Sequence, residues 1–271
     1  MASTSQMRNS RGRLTKVARI PFAMLARKLD WARGFARMQD HSFQNYEKLV
    51  DKLLRELPED QAMARVAGCY STEDFRISGD AQLAVLRHHG LQDGMTIYDV
   101  GCGSGRTASA LYRSGWQGAY IGHDIVARLA DYLSRTCPGY KAFGHRENSL
   151  LAKDSSVDII FHWSVFTHLF IEECHNYMTD MHRALKPGGK LVFSFLETED
   201  TNHVEQIFRP RLKAFRQRAA LVHLDTFLHR GQIETIARDI GFGDVAFTDG
   251  MDATHHPAFW QSLVVMTKPL A

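Results

Sequence analysis

Cysteine is scarce. Cys69, Cys102, Cys137 and Cys174 are the four in 271 residues, and none forms a C-x-x-C pair. That spacing offers neither a zinc site nor a disulfide framework and fits a reducing compartment, so no metal is expected. No apolar run approaches the ~18–20 residues that span a bilayer. A secretory h-region with a small-residue cleavage site is also missing, and the expected location is cytoplasmic. Excess charge of one sign is small: 33 basic against 30 acidic residues gives +3, too little to imply a nucleic-acid partner. Repeats and low-complexity runs are absent from the sequence. What remains is the balance of a packed globular chain, 44% hydrophobic and 23% charged. Its length suits one large α/β domain with an extension.

The organising stretch is MTIYDVGCGSGR, 95–106. It reads as a short strand, an acid (Asp99) near the strand tip, alternate glycines at Gly101, Gly103 and Gly105, and then a helix. Small residues there let the backbone turn sharply and lie against a ligand. The following helix points free N–H groups at the turn. The dinucleotide fingerprint G-x-G-x-x-G does not fit, because Arg106 stands where its third glycine would be. That spacing argues against NAD and FAD.

YDVGCGSGR resembles motif I of the class I S-adenosylmethionine-dependent methyltransferases, and other stretches extend the likeness. AYIGHDI, 119–125, is a strand ending near Asp124, an acid placed to accept hydrogen bonds from both ribose hydroxyls. RENSLLAKDSSVDIIFHWSVFTHLF, 146–170, resembles the third and fourth motifs. LKPGGKLVFSF, 185–195, resembles the helix end, Pro-Gly-Gly turn and fifth strand. The likeness runs from about Ala81 to Pro269. It implies a Rossmann-like sheet of seven mostly parallel strands, helices on both faces and an antiparallel C-terminal hairpin. The alternation of strand and helix patterns by itself predicts a parallel sheet covered on both sides.

The resemblance implies S-adenosyl-L-methionine as cofactor, held by Asp99, Gly101, Cys102, Gly103, Gly105, Asp124, Ile125, Glu147, Asn148 and His162. Asp99 would order the glycine loop or reach the cofactor's amino group through water. Glu147 or Asn148 would read the adenine edge, and His162 and Trp163 would line the pocket. His168 and His162 are candidates for a general base, since histidine titrates near neutrality; local packing is the alternative for both. His255-His256 could bind metal or reach the site, with an exposed pair as the plainer reading.

Three regions divide the chain. Residues 1–40 form a basic extension, with seven Lys and Arg before the first acid, Asp30. An apolar pattern at helical spacing from Ile20 to Met38 makes residues 8–38 a candidate for peripheral membrane contact. A transit peptide and a tail followed by a capping helix are the other readings. Residues 41–93 form a helical cap, with one helix broken at Pro58 and another from about Asp80 to His89. GCYSTEDFRISG, 68–79, reads as a loop between them, and its Tyr70, Phe75 and Arg76 are candidates to line the substrate site. Residues 94–271 form the methyltransferase domain, with an insertion at 196–226. Its basic cluster (Arg209, Arg211, Lys213, Arg216, Arg218) would cover the site, bind an acidic group or face solvent.

The functional expectation is methyl transfer to a small-molecule, glycan or lipid-like acceptor, at oxygen or nitrogen. The alternatives are methylation of RNA through the basic clusters and a non-catalytic subunit that keeps the fold.

Overall fold

The computed structural model describes residues 7–8, 14–15, 44–219 and 224–270. The chain divides into two compact units, Met1–Ser42 and Phe43–Ala271. In the first, Met7–Arg8 pairs antiparallel with Leu14–Thr15. The amphipathic pattern of 20–38, and with it most of the expected membrane-contact segment, lies outside the described residues.

The second unit opens with three helices: α1 over 44–56, α2 at Glu59–Val66 and α3 at Thr72–His88. Then follow β1 (Thr96–Val100), α4 (Arg106–Arg113), β2 (Ala119–Asp124), α5 (Ala127–Thr136), β3 (Lys141–Gly144) and β4 (Val157–His162). The chain continues through α6 (Ile171–Ala184) and β5 (Leu185–Phe195). A helical stretch, α7, has a π turn at Val204–Phe208 between Thr201–His203 and Arg209–Arg216. Finally come α8 (Arg230–Ile240), β6 (Val245–Thr248) and β7 (Ser262–Thr267).

The seven strands lie in the order β3-β2-β1-β4-β5-β7-β6. The first five are mutually parallel, and β7 is antiparallel to both β5 and β6. Alternate side chains of each strand feed two cores, as the two-residue period of a strand requires. Ile97, Ile159 and Val192 pack with Leu83 and Leu86 of α3, Ala108 and Leu111 of α4 and Leu133 of α5. Tyr98, Ile160 and Phe193 pack with Met178 and Met181 of α6 and Ile233 and Ala237 of α8. Strand order reverses between β1 and β4, so the carboxyl edge there is the place where an open α/β sheet binds ligands.

Three local expectations need correction. The stretch 68–79 is not a loop throughout, because α3 starts at Thr72. Ser71 caps it by accepting the Asp74 N–H (3.1 Å), Glu73 and Asp74 carry negative charge into the first turn, and Arg76 bridges Glu73 and Asp80 (both 2.7 Å). The cap signal Ser-x-x-Asp outweighs the turn-forming composition. α2 is a further helix between Pro58 and the 68–71 turn, burying only Ala62, Met63 and Ala64. The Lys-Pro-Gly-Gly turn is a bulge within β5: Val157 pairs with Leu185, but Ile159 pairs with Lys190. Ser71→Ala is expected to lower stability by about 1 kcal/mol, or roughly 2–4 °C in a thermal melt of a unit this size.

Among the described residues no helix is long and apolar enough to cross a membrane.

Candidate functional site

The glycine turn and Asp124 meet at the reversal point. Asp124 Oδ2 accepts the Gly103 N–H (3.0 Å), and Oδ1 accepts the Val126 N–H (2.8 Å). Cys102, itself buried, donates its N–H to His123 O (2.9 Å) and ties the turn to β2.

The glycines differ in what surrounds them. Gly101 has φ +64, and a Cβ there would lie 2.6 Å from Val165 Cγ2, so the segment after β4 closes against the turn. Gly103 has φ +53 and nothing within 4 Å of a Cβ position. Its exposed backbone face is a cradle that any side chain would fill. Gly105 begins α4 against Leu133. An adenosyl group fits this arrangement, with bare backbone on one side and a carboxylate across from it.

Asp99 lies beneath the turn, 3% exposed, and accepts the Tyr120 hydroxyl (2.7 Å). Burial pushes its carboxyl up to about 7, against the Tyr120 hydrogen bond and the Arg106 charge, with a smaller upward push from Asp124. Asp124 is half-buried, and desolvation lifts it to about 6, opposed by the Val126 and Gly103 N–H groups.

The helical cap sits directly on the turn. Ser104 Oγ donates to Met63 O (2.9 Å), and Arg106 Nη1 donates to Ala67 O (3.3 Å). Val50, Met63, Val126 and Leu129 form a small core joined by Tyr46 and Ile125. Arg128–Asp51 (2.6 Å) and Arg135–Glu59 (2.7 Å) pair the cap with α5 at its rim. Tyr46 of α1 meets the His168 ring edge-on at 5.8 Å. Burial, then the charges of Asp124 and Asp225, hold its phenol above the ordinary range. Sequence reading did not connect α1 and α2 to the turn. Ser104 and Arg106, two polar residues inside a glycine motif, are the signal for that contact.

The other expected residues are more dispersed. Glu147 is exposed, and its backbone oxygen accepts the Tyr177 hydroxyl (3.1 Å). Asn148 Nδ2 donates to Glu173 Oε1 (3.3 Å). Their loop starts beside Asp124, where the His145 N–H donates to Asp124 O (2.9 Å). His162 is not at the cleft wall. It is fully buried, stacked on Phe193 at 4.8 Å and tilted against Phe166 at 4.2 Å. Burial lowers its pKa to about 3, so it stays neutral. Trp163 packs on Phe259 at 4.6 Å. His168 Nδ1 pairs with Leu224 O (2.9 Å), which places its hydrogen on Nδ1.

Tyr70 is 85% exposed, with the Arg65 guanidinium 5.7 Å from its ring. Phe75 is half-buried and Arg76 is engaged by its acidic neighbours on α3. The described contacts bring none of these three to the glycine turn. His255 stacks on His88 at 4.5 Å, and His256 is buried rather than exposed. Among the described residues no three His, Cys, Asp or Glu side chains are grouped to hold a metal ion.

Two surface cavities lie away from the turn. One of about 610 Å³ runs between α3 and α4 past Asp80, Arg87, Arg113 and His255. The other, about 700 Å³, opens beyond the end of β5 between Glu197, Asp200, His229, Arg230 and Asp249. Neither cavity is lined by the glycine turn or by Asp124.

Comparison with known proteins agrees with the topology. Residues 98–193 match the family model of the methyltransferase domain. A demethylmenaquinone methyltransferase of Tropheryma whipplei is 30% identical over 134 residues, covering 47% of this chain and 54% of that protein. The chain thus spans about half the length of the curated relatives it matches. A solved S-adenosylmethionine-dependent methyltransferase of Methanosarcina mazei is 20% identical, covers 69% of this chain and 98% of its own, and has a TM-score of 0.53. One from Thermotoga maritima is 16% identical, covers 84% and 99%, and has a TM-score of 0.55. These distant structures bear on the fold. Residues 98–193 thus match a methyltransferase domain, and the sheet they belong to has the fold of the solved S-adenosylmethionine-dependent methyltransferases.

Proposed function

We propose that the chain binds S-adenosyl-L-methionine over Gly103 and transfers its methyl group to a small-molecule acceptor at oxygen or nitrogen. The observation that carries this reading is the Asp124 carboxylate, 3.0 Å from the Gly103 N–H, beside open space at Gly103. Asp124 would hold the ribose hydroxyls, and Gly103 would admit the cofactor's backbone-facing side. The bound cofactor supplies an electrophilic methyl on a sulfonium, so the protein's own contribution is alignment. The name of the Tropheryma whipplei relative supports a small-molecule acceptor.

Of the two histidines weighed as general base, His162 is sealed in the core, and His168 keeps the role in this proposal. It is half-buried, beside Tyr46. Calorimetric titration of the wild type with S-adenosylmethionine tests the reading, and absence of binding ends it.

The raised pKa of Asp124 adds a pH dependence. A protonated Asp124 keeps one acceptor oxygen for the ribose hydroxyls but loses the charge that strengthens both bonds. Affinity should therefore be full above about pH 6 and fall below it toward the weaker affinity of the neutral form. Folding has the opposite slope. The folded pKa, about 6, lies above the ordinary carboxyl value of 3.8, so the folded chain retains the extra proton between them. That contribution to stability is complete at low pH and declines as pH rises through the interval. Asp99 adds the same trend up to about 7. Titrations and melts across about pH 5 to pH 8 should show affinity rising while these groups' contribution to stability falls.

A further inference from the structure

We infer that α7 is a docking surface for an anionic lipid membrane. Its exposed side combines two features that water alone does not favour together. Phe208 is 44% exposed and Phe215 is 71% exposed. They stand seven residues apart, which puts them on one face of a helix. The same stretch is also rich in basic residues. From Val204 to Arg218 the sequence has five Lys and Arg against a single acid, Glu205.

Two of the five are committed within the fold. Arg209 pairs with Glu205 (2.8 Å) and Arg211 with Asp225 (2.7 Å). Lys213, Arg216 and Arg218 are exposed and have no acidic partner among the described residues. At 100° per residue, Arg216 stands about 90° and Lys213 about 150° around the wheel from the Phe208–Phe215 line, so these cations take the flank and the far side of the helix from that apolar line. A helix resting in the plane of a membrane interface needs this arrangement, with aromatic rings in the acyl boundary and cations at the anionic headgroups. A single-stranded nucleic acid would instead be matched by bases stacked on aromatics along a basic groove.

The placement also suits a lipid-like or membrane-held acceptor. α7 begins at Thr201, just after β5 ends at Phe195, so it leaves from the carboxyl edge of the sheet. Docking through α7 would set that edge near the bilayer. The inference does not depend on methyl transfer, because membrane binding is measured without cofactor or acceptor.

The experiment is co-sedimentation of the full chain with phosphatidylcholine vesicles, with and without phosphatidylglycerol, at low salt. The wild type should pellet with the anionic vesicles and not with pure phosphatidylcholine. Lys213→Glu with Arg216→Glu should weaken binding at least about tenfold, and Phe215→Ser about tenfold. Both variants alter exposed side chains, so melting temperatures should stay at the wild-type value. Phe215→Trp should gain fluorescence quenching from brominated lipid chains beyond the wild-type signal.

No binding by the wild type overturns the proposal. So does equal binding by the variants, which would assign membrane contact to another part of the chain. An unquenched Phe215→Trp overturns it as well. Polyuridylate binding with the same variant dependence, in place of vesicle binding, would assign α7 to nucleic acid and also overturn it.

Discussion

Asp124→Ala should weaken S-adenosylmethionine binding by at least about a hundredfold while leaving a folded protein. A hydrogen bond to a charged group contributes roughly 1.5–3 kcal/mol. Loss of both ribose bonds therefore corresponds to about 3 kcal/mol or more, and each 1.4 kcal/mol is about tenfold. The variant also frees the N–H groups of Gly103 and Val126, which Asp124 now holds at 3.0 and 2.8 Å. The turn stays anchored by the Cys102–His123 backbone bond and by Ser104 on Met63. Asp124→Asn makes the sharper comparison, because the amide retains one acceptor oxygen and cannot titrate. Its loss should be intermediate, and the fall in affinity below about pH 6 should vanish. Calorimetry on the three proteins at neutral and mildly acidic pH measures both effects.

The largest effect on stability should come from Arg230→Met. Glu197, immediately beyond β5 and its neighbour Leu196, is only 2% exposed. Its carboxylate accepts from Arg230 Nε (2.8 Å) and Nη2 (2.7 Å), and from Ser262 Oγ (2.6 Å). Removing the guanidinium leaves a buried charge with only the Ser262 hydroxyl as partner, which costs about 3 kcal/mol or more. The Glu197 backbone is pinned too. Its N–H donates to His203 Nδ1 (3.0 Å), and that histidine's Nε2–H donates to Trp260 O (2.6 Å). The cluster therefore joins the end of β5 to the start of β7, to α7 and to α8. Denaturant unfolding should show the loss, and adding Glu197→Gln to Arg230→Met should recover part of it by removing the stranded charge.

The sequence reveals most where function is written in backbone. Bare positions at 101, 103 and 105 and an acid at the tip of the next strand require one local geometry, and the structure has it. Strand alternation also gives the sheet, and Gly241, in the left-handed region just after α8, marks the end of its last helix. Side-chain direction at a strand tip is harder to read. His162 ends β4 where a cleft residue would stand, but the rings of Phe166 and Phe193 draw it into the core. A helical cap over 41–93 is legible, but not which of its residues cover the turn. Nothing local to EDQAMARV says that Met63 will cap the glycine turn, because the buried side chains of α2 are mostly small and weakly patterned. The start of α3 was readable from Ser71 and Asp74, but Gly68, Ser71 and Thr72 compete as turn formers. The clamp around Glu197 joins residues more than 60 positions apart, a pairing that only the folded sheet creates.

The most direct test is a crystal structure with S-adenosylhomocysteine bound. The ribose hydroxyls should lie on the Asp124 carboxylate and the nucleoside over the Gly103 backbone, with Asp99 still on Tyr120. Density for the ligand in another cavity, or an Asp124 that makes no contact with it, would contradict the account.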